Sequence, residues 1–147
     1  MKPFFEKVSY APEEAVLPVR STQTSAYDFF ASEDVVIPSL FKALQKEFIK
    51  PTFIPTHIKA FIPENMFLQL ANRSNPLKVG ILMANVGIVD ADYYNNPDNE
   101  HIQIFWNMTA EDVVIKKGQK VFQVFVEYKT VENEEENFSE RNFGSTH

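Results

Sequence analysis

The 147-residue chain contains no cysteine. That excludes a disulfide scaffold, a thiolate metal site and a cysteine nucleophile. Histidine occurs only at His57, His101 and His147, too far apart in sequence to form the short ligand spacings of a zinc site. Positive charge is outweighed: 14 Lys and Arg against 20 Asp and Glu give a net charge of -6, which argues against broad nucleic-acid binding. No apolar run approaches the roughly 18–20 residues that cross a bilayer. The start, Met1-Lys2-Pro3-Phe4-Phe5-Glu6-Lys7, lacks the long apolar segment and small-residue cleavage site of a secretory signal. A Walker-type phosphate loop and a serine-hydrolase elbow are also missing. The expectation is a soluble, cytoplasmic protein with no nucleic-acid or membrane partner. A polyanionic small substrate is compatible with the acidic balance, provided that a few placed Arg and Lys side chains, backbone N–H groups or a divalent cation meet its charge.

Glycine is scarce as well, with 4 residues, well below the usual ~7%. A turn-rich chain normally uses glycine for left-handed turn positions. Yet this chain reads as turn-rich. Hydrophobic residues make up 44% and charged residues 23%, enough for one packed domain. Short apolar runs recur at Asp34 to Pro38, Thr56 to Pro63, Met66 to Leu70, Val79 to Met83, Ile102 to Trp106, Asp112 to Ile115 and Val121 to Tyr128. In the second run Ile58, Ala60 and Ile62 fall on one strand face. Asn75-Pro76, the run Asn95-Asn96-Pro97-Asp98-Asn99, and Lys117-Gly118 punctuate the chain. The pattern predicts an all-β sandwich or barrel. One helix is predicted over Ser39–Phe48, capped by Ser39, with Leu40, Leu44 and Phe48 on one face. Glu-Asp-Val-Val-Ile occurs twice, at 33–37 and 111–115, and both copies read as similar edge strands. The acidic run Glu132-Asn133-Glu134-Glu135-Glu136-Asn137 reads as a solvated linker.

Acidic residues are the remaining candidates for chemistry. Asp90 and Asp92 lie two apart at the end of an apolar run from Ile81 to Val89. Carboxylates at a strand end can serve as a general base or hold a divalent ion through water, but by themselves they more often mark a solvated turn.

Five short segments, in order, resemble the motifs of the trimeric dUTPases. They are Ser25-Ala26-Tyr27-Asp28-Phe29-Phe30-Ala31, Asn72-Arg73-Ser74, Gly87-Ile88-Val89-Asp90-Ala91-Asp92-Tyr93, Gly118-Gln119-Lys120-Val121-Phe122-Gln123, and Arg141-Asn142-Phe143-Gly144-Ser145-Thr146. Pro55-Thr56-His57-Ile58-Lys59-Ala60 resembles the strand before the second motif. Each match is short; their shared order from 25 to 146 is the specific signal. The resemblance implies a β-barrel or jelly roll over residues 1–131 with one short helix, and an arm over 132–147 swapped onto a neighbouring subunit of a homotrimer with shared sites. It implies hydrolysis of dUTP to dUMP and pyrophosphate with Mg²⁺ on the triphosphate. Asp90 would activate the water and Gln123 would help to align it. Arg73, Ser74 and Arg141 would hold phosphates, and Asp28 would support the metal's water shell or the neighbouring subunit. Asn85, Gly87 and Val89, in a hairpin, would read uracil, and Tyr93 would pack on the deoxyribose. Phe143, Gly144 and Ser145 would close the site from the arm.

The match departs from the family pattern in one consistent way. Motifs are short by a residue, often glycine: between Ala26 and Tyr27, beside Ser74, between Asn85 and Gly87, and more extensively between Arg141 and Phe143. Removing a residue from a strand turns later side chains to the other face. A non-catalytic dUTPase-like nucleotide-binding or regulatory protein, and a dCTP deaminase of the same fold, are therefore the alternatives.

Overall fold

A computed structural model describes residues 4–43, 51–95 and 103–129. Eleven strands run in chain order: β1 (Phe4–Lys7), β2 (Tyr27–Phe30), β3 (Val35–Ile37), β4 (Thr52–Ile54), β5 (Ile58–Phe61), β6 (Met66–Asn72), β7 (Ile81–Met83), β8 (Gly87–Val89), β9 (Gln103–Asn107), β10 (Val113–Ile115) and β11 (Lys120–Tyr128). Among the described residues the helices are short, α1 (Leu40–Ala43) and α2 (Ser74–Lys78), and a 3-10 turn spans Ala91–Asn95. Among the described residues no helix is long and apolar enough to cross a membrane.

The strands form a four-stranded sheet β2-β11-β6-β8, a three-stranded sheet β4-β9-β7, and two pairs, β1-β5 and β10-β3. All pairings between these strands are antiparallel. The all-β, jelly-roll class expected from the sequence is what the chain adopts; the described strands do not close into a continuous barrel. One core unites the sheets. Phe29 of β2 stacks on Phe122 of β11 with centroids 5.0 Å apart, and Phe105 of β9 approaches Phe122 at 6.4 Å. Phe122 thus joins the larger sheet to the smaller, which is one use of an aromatic-rich composition.

The two Glu-Asp-Val-Val-Ile copies pair with each other, Val36 opposite Val114. Their first and third apolar positions turn inward, with Ile37 and Ile115 buried. Ser39 caps α1 as expected: the Lys42 N–H donates to its hydroxyl at 3.4 Å. Leu44 and Phe48 of the expected helix lie outside the described residues. Two expectations are corrected. The strand expected to end at Met83 does end there as β7, but β7 joins β9 while β8 joins β6. Consequently Asn85 to Val89 crosses between sheets instead of closing a hairpin, and only two residues are available between Ala84 and Gly87 to turn the chain. Asn75-Pro76, read as a turn, lies in α2, where Pro is tolerated in a first turn.

Glycine scarcity leaves a mark. Gly118 supplies the positive φ of 87° in the turn before β11, but the residue entering β5 is His57, with φ 58°. A side chain there is strained. Its ring is held by Ser32, with Nδ1 to Oγ at 2.5 Å, and by an edge contact with Tyr10 at 5.4 Å.

Candidate active site

Four of the five motif segments meet in the β2-β11-β6-β8 sheet. The first supplies β2, the fourth supplies β11, the second follows β6, and the third supplies β8 and the 3-10 turn. Gln123 lies opposite Asp28 on one side and Ala71 on the other. The register of β11 against β2 shifts between Lys120 and Phe122. That bulge lets neighbouring Val121 and Phe122 both enter the core, after which Gln123 and Phe125 share the opposite face. Both line a cleft of about 410 Å³ with Thr24, Ser25, Asp28, Arg73 and Ser74.

Charge orders this cleft. The Arg73 Nε–H donates to Asp28 Oδ1 at 2.8 Å, and Lys120 Nζ lies 3.6 Å from Asp28 Oδ2. Arg73 and Asp28 are about three-quarters buried, at 22% and 24% exposure, so this pair is better shielded from solvent screening than a surface salt bridge. Fixing Nε sets the guanidinium plane and leaves the terminal amino groups as donors for a planar or tetrahedral anion. Gln123 Nε2 donates to the Asn72 carbonyl at 2.7 Å, tying the fourth motif to the residue before Arg73. Ser74 opens α2 at the exposed rim. Sequence reasoning missed Phe125, Thr24 and the Lys120 contact. Strand alternation from Gln123 could have found Phe125, whereas the Lys120 contact depends on a pairing across β2 and β11.

Asp90 and Tyr93 are elsewhere. Val89 pairs with Leu68 and Gly87 with Leu70, so Asp90 stands level with Phe67, while Arg73 follows the far end of β6. At about 3.4 Å per residue the two sites are roughly 20 Å apart. Asp90 is exposed, and its carbonyl accepts the Tyr93 N–H at 3.1 Å, closing the 3-10 turn. Asn85 is exposed. The Val89 side chain is in the core, which leaves only its backbone for ligand contact. Arg141, Phe143, Gly144 and Ser145 lie outside the described residues.

Among the described residues no group of three or more His, Asp or Glu side chains is placed to hold a metal. Both Asp28 oxygens already face cations. This donor set does not fit a metal held by the protein alone. It fits Mg²⁺ carried on phosphates, since that ion commonly takes one or two carboxylates plus substrate oxygens.

The dUTPase family model matches residues 13–147. The chain belongs to the dUTPase family. A deoxyuridine 5'-triphosphate nucleotidohydrolase of Lactococcus lactis is 41% identical over 140 residues, covering 88% of this chain and 87% of that protein. The enzyme of the same name from Candida glabrata is 32% identical over 123 residues, covering 82% and 76%. Among solved structures, the crystal structure of dUTPase from Streptococcus mutans superposes with a TM-score of 0.74 at 30% identity, covering 88% of this chain and 98% of that one. A mutant dUTPase from phage phi11 of S. aureus, solved for its coordination of a structural Mg(II) ion, gives a TM-score of 0.70 over 92% of this chain and 96% of that one. At 17% identity that likeness concerns the fold.

Proposed function

We propose that this dUTPase hydrolyses dUTP to dUMP and pyrophosphate at sites that each need more than one copy of the chain. Family membership supports the reaction. The observation that carries the shared site is the separation along β6. A base must come within hydrogen-bond reach of the water it activates, and the phosphates of one nucleotide lie close together. Asp90 therefore serves a triphosphate held at the Arg73 cleft of another copy. A homotrimer, closed by a threefold axis, satisfies this for every subunit at once.

In this reading the Asp90 carboxylate takes a proton from a water. The water oxygen forms a bond to the α-phosphorus as the bridge to the β-phosphorus breaks, and pyrophosphate departs. Arg73 and Ser74 donate to phosphate oxygens, joined by Arg141 from the arm at 132–147. Gln123 aligns the water or an adjacent phosphate oxygen; orientation of this kind is worth several kcal/mol. Mg²⁺ on the triphosphate would supply charge neutralisation, while Asp28 holds Arg73 in place. Asn85 and the backbone of Gly87 and Val89 read the uracil edge. Tyr93, 39% exposed, offers its ring to the deoxyribose, and Phe143, Gly144 and Ser145 cover the base. The enzyme would act on the cytoplasmic nucleotide pool.

Pyrophosphate release from dUTP, dCTP and dTTP tests the assignment. Turnover is expected with dUTP and to be at least tenfold lower with the others, a ratio that a site reading one base edge readily supplies. Deamination of dCTP, or nucleotide binding without turnover of dUTP, would overturn it.

A further inference from the structure

Asp90, Asp92 and Tyr93 of the third motif are exposed, yet the turn that carries them is gripped from beneath by residues outside all five motifs. The grip begins at an anomaly in β5. Ile58 and Ala60 point into the core, and Lys59 between them should point to solvent by strand alternation. It does not: its side chain is only 8% exposed. An ammonium that is mostly removed from water needs compensation. Glu6, directly opposite on β1, places Oε1 3.6 Å from Lys59 Nζ. On another side, Lys59 Nζ sits 4.5 Å from the ring centroid of Tyr94, a cation–π contact that gains strength where water is excluded.

Tyr94 completes the arrangement. Its hydroxyl donates to the same Glu6 Oε1, and Phe61 packs edge-on against its ring with centroids 5.7 Å apart. The Glu6 carboxylate, by accepting that hydrogen bond, pushes the Tyr94 hydroxyl above the ordinary phenol range, which keeps it a donor. Tyr94 belongs to the Ala91–Asn95 turn, next to Tyr93 and four residues after Asp90. One face of this turn is thus bound to the β1-β5 pair through an oxygen, a ring face and a ring edge, while Asp90, Asp92 and Tyr93 remain exposed.

We propose that Glu6, Lys59 and Tyr94 are positioning residues for catalysis: they lock the 3-10 turn so that the Asp90 carboxylate meets the attacking water in one orientation. The proposal rests on the reading of Asp90 as the base. None of the three touches the substrate in this scheme; their effect passes through the turn. A misplacement of about 1 Å at a reacting group can cost on the order of a hundredfold in rate, so a loosened turn lowers kcat more than it raises KM.

Tyr94→Phe in the full chain is the sharpest test, because it deletes one oxygen and keeps the ring beside Lys59. Amide exchange at Tyr93, whose N–H closes the turn, is followed by NMR together with steady-state kinetics on dUTP. Exchange at Tyr93 is expected to quicken, and kcat to fall about tenfold with KM within about threefold. Lys59→Met, which removes the cation but keeps an apolar stem, is expected to move both readouts in the same direction and stands in should Tyr94→Phe not fold. Unchanged Tyr93 exchange, or an unchanged kcat with only a lower Tm, overturns the proposal and leaves an ordinary structural ion pair. Asp90→Asn measured alongside separates the two layers. If that variant keeps turnover, the assignment of the base has failed and the proposal falls with it; quickened Tyr93 exchange in Tyr94→Phe would then still report the grip.

Discussion

The two ends of β6 are organised by opposite means. Beyond Asn72, residues of three motifs order one another: Asp28 holds Arg73 and Lys120, and Gln123 is tied to the Asn72 carbonyl. Level with Phe67, the third motif has Asp90 and Tyr93 exposed, and its turn is supported by Glu6, Lys59, Phe61 and Tyr94. On the proposed reading of the site, the difference follows from the task. Groups that receive phosphates must be fixed relative to one another, and mutual ion pairing does that within one chain. A base that is to reach a nucleotide on another copy, as proposed for Asp90, must project, so its rigidity would come from the protein behind it. The largest expected effect tests this division. Asp90→Asn should lower kcat by about 10²–10⁴-fold, the range for loss of a positioned general base, while nucleotide affinity measured calorimetrically stays close to wild type. An equal loss of binding and turnover would erase the contrast between the two ends.

The next effect asks whether the ends belong to different subunits in one site. Asp90→Asn and Arg73→Ala should each be nearly inactive alone. When the two chains are unfolded together and refolded at equal amounts, random assembly gives about a quarter of the sites one intact Asp90 and one intact Arg73. Activity should return to roughly that fraction. Recovery is not expected if both residues of a site come from one chain, since every chain then carries a defect.

How much of this was legible in the sequence depends on the range of the interaction. Long strands with local periodicity were: β6 and β11 lie where apolar runs fell, and Ser39 caps α1 as its hydroxyl and position suggested. The motif order pointed to the family and, with it, to Asp28, Arg73, Ser74 and Gln123, which line one cleft. Local patterns located strand ends but not strand partners. Asn85 and Gly87 mark the break between β7 and β8, but that the two strands join different sheets is set by their tertiary partners, β9 and β6. Lys59 reads as the polar member of an alternating strand, and its burial is decided by Glu6 and Tyr94, both far away in sequence. The Glu-Asp-Val-Val-Ile copies were read as similar edges, and only the register reveals that they are each other's partner. The Asp28–Arg73 pair, 45 residues apart, is likewise a product of β2, β11 and β6 lying side by side.

The smallest expected effect concerns that pair and decides between two roles for Asp28. If its carboxylate acts by holding Arg73, Asp28→Asn keeps the shape and loses a charge-assisted hydrogen bond to Nε. Bonds to charged groups are worth about 1.5–3 kcal/mol, and partial exposure of this pair reduces that figure. Arg73 would then sample more orientations, and KM for dUTP should rise by tenfold or less, roughly equally at every Mg²⁺ concentration. If Asp28 instead supports the water shell of the cation, the Mg²⁺ concentration for half-maximal activity should move upward while KM at saturating Mg²⁺ changes little. The geometry favours the first outcome, because both Asp28 oxygens already face cations of the protein. It also sets the direction of a second-order effect: the neutral amide leaves Arg73 and Lys120 with less compensation, so their mutual repulsion increases and the cleft becomes more attractive to anions at low salt. Part of the loss in KM should therefore be masked at low ionic strength and emerge as salt is raised.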